Sequence, residues 1–255
     1  MTRLRILMAG LAIAAIAPIG MALAAGGTKH IEPQEWHFEG VFGTHDRAQL
    51  QRGYLVYKEV CAACHRLNYV QFRHLVDIGF SEAQAKTIAS EFEVEDGPND
   101  DGDMFTRPAG LSDNFPPPFA NDKAARASNN GALPPNLSLI TKARPGGANY
   151  VFALLTGFGD PPSDLELADG MNFNPYFTGS QIAMAPPLSE DAVEFADGTK
   201  ATTEQMARDV VAFLAWAAEP RMEDRHRLGF KVMVFLIILT ILLYLAKQRV
   251  WRNVH

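Results

Sequence analysis

The sequence is poor in the residues that cross-link small secreted domains or build metal clusters. Cys61 and Cys64 are the only cysteines among 255 residues, so a disulfide framework is excluded if both thiols serve another purpose. No second group of cysteine and histidine residues completes a four-ligand zinc site. Internal repeats are absent and alternating strand patterns are few, so a mainly α fold is expected. The most informative residues surround the two thiols.

The segment Cys61-Ala62-Ala63-Cys64-His65 has the spacing that covalent attachment of c-type haem requires. Two thiols three positions apart form thioethers with the haem vinyl groups, and the histidine after the second thiol is placed to bind the iron. A thioredoxin-like redox pair is the alternative, but it does not need the histidine, and no βαβ pattern surrounds the segment. Because no cysteine is left over, the sequence predicts one covalently attached haem c.

Apolar segments near both ends predict how the chain is organised. Residues 1–24 have a basic start, an apolar run and a small-residue cleavage site, which is typical of a signal peptide. Residues 228–246 are apolar apart from Lys231 and are long enough, as a helix, to cross the hydrocarbon core of a membrane. Residues 25–227 are then a haem domain on the periplasmic side of the cell inner membrane. Residues 247–255 are a cytoplasmic tail, so the protein is expected to be single-pass.

The predicted haem domain is strongly acidic. It holds all 29 Asp and Glu residues, but six of the 23 Lys and Arg residues lie outside it, which leaves a formal charge of −12. Residues 91–103 contain seven acidic residues and no Lys or Arg, and a smaller acidic group lies at residues 190–197. Such runs are commonly solvated loops. Beside a redox centre they would also attract a basic partner protein, whereas a nucleic-acid partner is not expected.

Three segments have the caps and the apolar spacing of helices. Each begins with Asp, Ser or Thr and has Gln three positions later, which is a helix N-terminal signature. The first helix ends at Cys61, and the third stops before Pro220. The three segments are residues 46–60, 81–92 and 202–218. The chain between them is rich in Pro, Gly and Asn, which predicts a mainly α domain with long ordered loops.

An electron carrier of this type needs a second iron ligand opposite His65, and methionine is the usual choice where a high potential is wanted. Met184 is favoured because it lies in a loop stiffened by Pro186 and Pro187. Met206 is expected in a helix core, and Met222 adjoins the apolar C-terminal segment. The alternatives that stay open are Met104, Met171 and, formally, His30, His37, His45 and His74, although a lone histidine is more often a surface or packing residue.

Seven long segments of the chain resemble the cytochrome c1 family, the haem-bearing subunits of quinol–cytochrome c oxidoreductase (bc1) complexes, in its bacterial form. They are CAACHRLNYVQFRHL at 61–75, EDGPNDDGDMF at 95–105, RPAGLSDNFPPPF at 107–119, ARASNNGALPPNLSLI at 125–140, ANYVFALLTGF at 148–158, NPYFTGSQIAMAPPL at 174–188 and FLAWAAEPRMEDRHRLGFK at 213–231. The resemblance covers nearly all of the chain beyond the predicted signal peptide. It implies a cytochrome c-like haem domain with one C-terminal transmembrane helix.

The resemblance also implies roles for individual residues. Cys61 and Cys64 would hold the haem, with His65 as the proximal and Met184 as the distal iron ligand. Arg144 matches the position that pairs with a haem propionate. Positions that line the haem pocket are matched by Asn129, Ala132, Pro134, Pro135, Ile140, Tyr150 and Phe177. Some bacterial members have a disulfide near the distal loop; this chain has no cysteine for it, so packing would have to hold that loop.

The implied function is a one-electron relay within a dimeric bc1 complex. The Rieske iron–sulfur subunit would reduce the haem of this chain, a basic cytochrome c would accept the electron, and cytochrome b would be the membrane partner. The acidic segments match the family surface that receives cytochrome c. Two other functions have the same attachment motif. One is a membrane-tethered monohaem cytochrome c that feeds a terminal oxidase without a bc1 partner, and the other is a haem peroxidase with an open sixth iron position.

Overall fold

The computed structural model describes residues 29–253. The predicted signal peptide, residues 1–24, and the last two residues of the predicted tail lie outside this range. Helices account for 45% and strands for 6% of the residues, which confirms the prediction of a mainly α protein with long ordered loops and one apolar C-terminal helix. The small amount of strand occurs as two short antiparallel pairs within the loops.

The described residues contain seven α-helices and four strands. The helices are α1 (Arg47–Val56), α2 (Glu82–Ser90), α3 (Asp122–Ser128), α4 (Ile140–Ala143), α5 (Gly147–Thr156), α6 (Thr203–Ala218) and α7 (Met222–Trp251). Strand β1 (Glu93–Asp96) pairs with β2 (Phe105–Pro108), and β3 (Asn172–Phe173) pairs with β4 (Gln181–Ile182). A π-helical turn (Tyr57–Cys61) continues α1, and 3₁₀ turns span Phe72–Ile78 and Leu137–Leu139.

The predicted caps open the three predicted helices. The carboxylate of Asp46 accepts hydrogen bonds from two backbone amides in the first turn of α1. Ser81 and Gln84 form a capping box at α2, with distances of 3.2 and 2.8 Å. The hydroxyl of Thr202 accepts from the amide of Gln205 at 3.1 Å and starts α6. Each cap satisfies amides that the helix itself leaves without a partner.

Helices α1 and α6 form the centre of the core. The rings of Tyr54 on α1 and of Tyr57 in the π-helical turn that follows it both lie 5.8 Å from the ring of Phe213 on α6. Asp209 of α6 is fully buried, and its carboxylate accepts from Arg52 Nε at 2.7 Å. A buried charge of this kind needs a hydrogen-bonded partner, because desolvation is otherwise too costly. The core therefore holds the end of α1, where the thiol motif begins, against α6.

Helix α7 is longer than the predicted membrane segment at both ends. It begins at Met222 rather than at residue 228, and it ends at Trp251, within the predicted tail. Charged residues do not stop a helix, and here Arg227 pairs with Glu223 one turn earlier. Within residues 29–253 it is the one helix that is long and apolar enough to cross a membrane, and none of its apolar window is buried against the protein.

Candidate haem site

The thiol motif is a tight turn that follows α1. The amide of Ala62 donates to the carbonyl oxygen of Tyr57 at 2.8 Å, which widens the last turn of the helix. The amides of Cys64 and His65 then both donate to the carbonyl oxygen of Cys61, at 3.2 and 2.9 Å. Cys61 is half-buried and Cys64 is exposed. This hydrogen bonding places two thiols and one imidazole on a single turn.

One nitrogen of the His65 imidazole is hydrogen-bonded, and the other has no hydrogen-bond partner within residues 29–253. Its Nδ1 lies 2.9 Å from the carbonyl oxygen of Pro135, and because a carbonyl can only accept, Nδ1 carries the proton. Burial lowers the pKa of His65, although the bond to Pro135 acts in the opposite direction. The ring is therefore neutral near pH 7, and Nε2 has a free lone pair for a metal.

The loop that carries Pro134 and Pro135 is attached directly to the motif. The amide of Leu137 donates to the carbonyl oxygen of Arg66 at 2.8 Å, and the amide of Tyr69 donates to Ser138 Oγ at 3.2 Å. Sequence reasoning missed these contacts. The polar residues that make or support them are Asn68, Asn136 and the fully buried Ser138. A signal for Asn136 exists, because an Asn side chain commonly accepts from the backbone amide two residues further on, as Asn136 does from Ser138.

The other predicted pocket residues lie on neighbouring elements. Asn129 follows α3, and its carbonyl oxygen accepts from the amide of Ala132 at 2.9 Å. Arg144 ends α4 and is exposed, whereas Tyr150 on α5 is half-buried. Burial raises the pKa of Tyr150, and the positive charge of Arg144 opposes the rise. Ile140 is buried in the core at the start of α4.

Phe177 and Met184 lie on the segment that contains β3 and β4. Asn174, fully buried, donates from Nδ2 to the carbonyl oxygen of Leu154 at the end of α5, at 2.8 Å. The amide of Phe177 donates to the carbonyl oxygen of Asn174 at 3.1 Å. Met184 follows β4 by two residues and is half-buried. Hydrogen bonds as well as packing therefore hold this segment, and Asn174 is a further residue that sequence reasoning missed.

Burial separates the remaining methionine candidates. Met206 is fully buried in α6, which confirms its assignment to the core, and Met222 is buried at the start of α7. Met104 is 56% exposed and follows the acidic loop between β1 and β2. Met171 is half-buried, as Met184 is. Met171 and Met184, which flank the pair β3 and β4, are consequently the two partly enclosed thioethers.

The residues present fit a covalent haem by their chemistry. Two thiols can form thioethers, a neutral imidazole has Nε2 free, and a partly enclosed methionine supplies a soft second ligand. Half-exposed apolar or aromatic side chains leave a surface that a haem face would cover: Ala132, Pro134, Tyr150 and Phe177. A separate cavity of about 410 Å³ touches the motif at Ala62, but none of the predicted pocket residues lines it.

Some acidic residues of the two acidic runs form ion pairs in the folded structure, and others do not. Glu91 pairs with Lys58, Asp96 pairs with Arg107, and Asp197 pairs with Arg52. Although residues 91–103 contain no Lys or Arg, the fold therefore gives part of each acidic run a basic partner from outside the run. Within residues 29–253, the acids of 91–103 that form no ion pair are Glu93, Glu95, Asp100, Asp101 and Asp103.

Comparison with known proteins agrees with this geometry. A family model described as the Cytochrome C1 family matches residues 36–254. Cytochrome c1 of Rhodospirillum rubrum is 47% identical over 94% of this chain and 97% of its own length. The mitochondrial cytochrome c1 heme protein of Schizosaccharomyces pombe is 52% identical over 91% of this chain and 77% of its own length. Cytochrome b/c1 of Bradyrhizobium diazoefficiens is 46% identical over 92% of this chain, which corresponds to 37% of that longer protein.

Proposed function

Because this chain belongs to the cytochrome c1 family, we propose that it is the haem-bearing electron carrier of a quinol–cytochrome c oxidoreductase (bc1) complex. The observation that carries this proposal is the motif turn, in which two thiols lie beside an imidazole whose Nδ1 is bonded to Pro135 and whose Nε2 is free. A haem c bound there supplies an iron that takes up and releases one electron. The chain itself makes and breaks no substrate bond, so the enzymatic activity belongs to the complex.

Each residue of the site has a defined task in this proposal. Cys61 and Cys64 hold the haem through thioethers, and His65 Nε2 binds the iron. The carbonyl of Pro135 keeps the imidazole ring in one orientation and in one tautomer. Met184 would hold the iron through its thioether, a soft ligand that would stabilise the ferrous state and limit access of small ligands.

The surrounding residues bind the porphyrin and exclude water. Arg144 is exposed and forms no ion pair within residues 29–253, so its guanidinium can pair with a propionate. The remaining pocket residues cover the haem faces and raise the potential by limiting solvent access: Asn129, Ala132, Pro134, Pro135, Ile140, Tyr150 and Phe177. The side chain of Asn174 links this segment to α5 through Leu154, and the amide of Phe177 donates to the carbonyl oxygen of Asn174 within the segment itself.

The partners follow from the family and from the charge of the head. The Rieske iron–sulfur subunit donates the electron and a basic cytochrome c accepts it, attracted by the unpaired acids at residues 93–103. Cytochrome b packs beside α7 in a dimeric complex, and the name of the Bradyrhizobium relative, which combines b and c1, supports that pairing. We place the haem domain on the periplasmic side of the cell inner membrane, because residues 1–24 have the sequence pattern of an export signal.

Purification of the tagged full-length chain from membranes tests the proposal. Cytochrome b and Rieske subunits should co-purify, and quinol-dependent reduction of the haem should be observed in the complex. The matched control is Cys61→Ala with Cys64→Ala, which should abolish covalent haem while leaving the tag detectable. A haem-loaded chain that purifies without cytochrome b and still reduces a terminal oxidase would instead be a tethered monohaem carrier.

A further inference from the structure

The loop at residues 39–44, here called the basal loop, exposes two large apolar side chains beside the start of α7. Val41 is 73% exposed and Phe42 is 80% exposed. The ring of Phe42 lies 6.5 Å from the ring of Phe230. Phe230 belongs to the apolar stretch that begins at residue 228, so the tip of the basal loop is level with the first turn of that stretch. Neighbouring apolar side chains exposed at one tip are uncommon on a protein that faces only water.

The height of the basal loop relative to α7 is set by hydrogen bonds. The amide of His45 donates to the carboxylate of Glu223 at 2.9 Å, and Arg47 pairs with the same carboxylate at 3.0 Å. Nδ1 of His226 lies 3.3 Å from the carbonyl oxygen of Gly43. The end of the loop and the residues directly after it are thus bonded to Glu223 and His226, which lie in the first two turns of α7. The loop and the base of the helix are therefore one structural unit.

Charge at this level of α7 changes from acidic to basic. The last acidic residue of the helix is Asp224, and the next charged residues towards the apolar stretch are Arg225, Arg227 and Lys231. The side chain of Arg227 is 71% exposed. Basic side chains beside aromatic and aliphatic ones are the combination that the headgroup region of a phospholipid leaflet accommodates, because phosphates meet the cations and the acyl boundary takes the apolar groups.

We propose that the basal loop inserts Val41 and Phe42 into the headgroup–hydrocarbon boundary of the leaflet around α7. The proposal rests on the membrane span in the proposed function. A groove of about 240 Å³ opens at the same level between the loop and α7, and its lining includes Phe42, Arg227 and Phe230. In this proposal lipid fills the groove. A single helix allows the attached domain to tilt and rotate, whereas a second contact holds it in one orientation. The basal loop thus orients the haem domain on the membrane.

Photo-crosslinking in the haem-loaded full-length chain tests the proposal in the membranes of the producing cells. Benzoylphenylalanine replaces Phe42, which keeps an aromatic ring at the position, and irradiated peptides are analysed by mass spectrometry for phospholipid adducts. The control position is Met104, which is 56% exposed. Met104 lies directly before β2, and Glu91, two residues before β1, pairs with Lys58 and not with a residue of the basal loop or of α7. Phe235 in the apolar part of α7 reports on the span itself.

The expected result is a phospholipid adduct at position 42, at least about tenfold above the yield at position 104. Adducts at 235 with none at 42, or a cross-link from 42 to another polypeptide, would overturn the membrane contact of the loop while leaving the span intact. Absence of lipid adducts at 235 as well would overturn the span and the basal-loop contact together. Neither result bears on haem attachment, which the spectrum of the same preparation reports separately.

Discussion

Gly53 of α1 lies against the backbone carbonyl of Asp209 of α6 with no room for a side chain. A Cβ atom built on Gly53 would lie 2.0 Å from that oxygen and 2.7 Å from the Cβ of Phe213. Contacts this short cannot be relieved by rotating a side chain, because the first of them involves backbone. The two helices are thus in backbone contact one turn before Tyr57, where the motif turn begins.

Gly53→Ala should destabilise the haem-loaded protein by roughly 2–4 kcal/mol, because forced separation of α1 and α6 outweighs the gain in helix propensity. Denaturant unfolding followed by far-UV circular dichroism measures the change. The matched control is Gly229→Ala in α7, where an added Cβ meets no atom within 4 Å, and this variant should be neutral or slightly stabilising. Equal tolerance of the two substitutions would show that the helices are not in backbone contact.

Met184→Leu should keep the haem covalently attached, because Cys61 and Cys64 are untouched, and should markedly lower its reduction potential. The variant should also bind carbon monoxide, since the sixth iron position opens. Optical spectra and redox titration measure both effects, with Met171→Leu as the control. If Met171→Leu, and not Met184→Leu, removes the absorption band of thioether-ligated iron, the distal ligand is Met171.

Electron transfer to a soluble basic cytochrome c should slow as salt rises, because the screening length falls from about 10 Å at 0.1 M to about 3 Å at 1 M. Asp100, Asp101 and Asp103, which form no ion pair within residues 29–253, should dominate this attraction. Their replacement by Asn should lower the bimolecular rate roughly 3- to 10-fold at low salt. The side-chain oxygen Oδ1 of Asn99 accepts from the backbone amides of Asp101 and Asp103, and the triple substitution leaves these bonds in place, so the fold should survive.

The control for that triple variant is Glu91→Gln, because Glu91 already pairs with Lys58 and should contribute less to the long-range field. Stopped-flow rates at several ionic strengths distinguish the two variants. If the bimolecular electron-transfer rate changes neither with salt nor with the triple substitution, the acidic run is an ordinary solvated loop.

His45 should make the protein less stable as the pH falls from about 6.5 towards 4. Both ring nitrogens are buried without a hydrogen-bond partner among the described residues, and burial lowers the pKa of His45 to about 4, although Glu223 acts in the opposite direction. Between pH 6.5 and pH 4, His45 is protonated in the unfolded chain but stays neutral in the folded protein. Protonation therefore stabilises the unfolded chain, and the free energy of unfolding decreases as the pH falls. The loss at pH 4.5 should be roughly 1–2 kcal/mol after allowance for water penetration.

His45→Phe should remove that component, since a phenyl ring can keep the stacking on Phe38, whose ring centroid lies 5.6 Å away. Unfolding free energies at pH 7 and pH 4.5 measure the difference, with the exposed His37→Phe as the control. An unchanged acid loss in His45→Phe would assign the pH dependence to other groups.

A chain that stops after Arg227 should be exported as a soluble, haem-bearing domain with an unchanged spectrum, because every predicted site residue precedes Pro220. This cut keeps Glu223 and its bonds to His45 and Arg47. A chain that stops after Pro220 loses those bonds and should melt at a lower temperature. If the chain that stops after Arg227 aggregates or fails to bind haem, part of α7 belongs to the haem domain. The predicted domain boundary at residue 227 would then be wrong.

The sequence-based predictions that the structure confirms depend on interactions between residues close together in the chain. Asp46, Ser81 and Thr202 cap their helices because a short polar side chain can reach amides only two or three residues ahead. Pro220 ends α6 because it lacks an amide proton, and the length of an apolar stretch suffices to identify α7 as a membrane-spanning candidate. The spacing of Cys61, Cys64 and His65 is equally local, and it was readable without any knowledge of the fold.

Contacts between distant segments could not be predicted from the sequence. The carbonyl of Pro135 meets His65 across 70 residues, and Lys58 reaches Glu91 across 33, so neither pairing leaves a signal in local spacing. The sequence by itself determined the attachment chemistry, the helix starts and the apolar span, since these depend on neighbours along the chain. Only the tertiary structure decided which nitrogen of His65 is free, which acids stay unpaired and where the basal loop lies, because long-range packing and desolvation set those relationships.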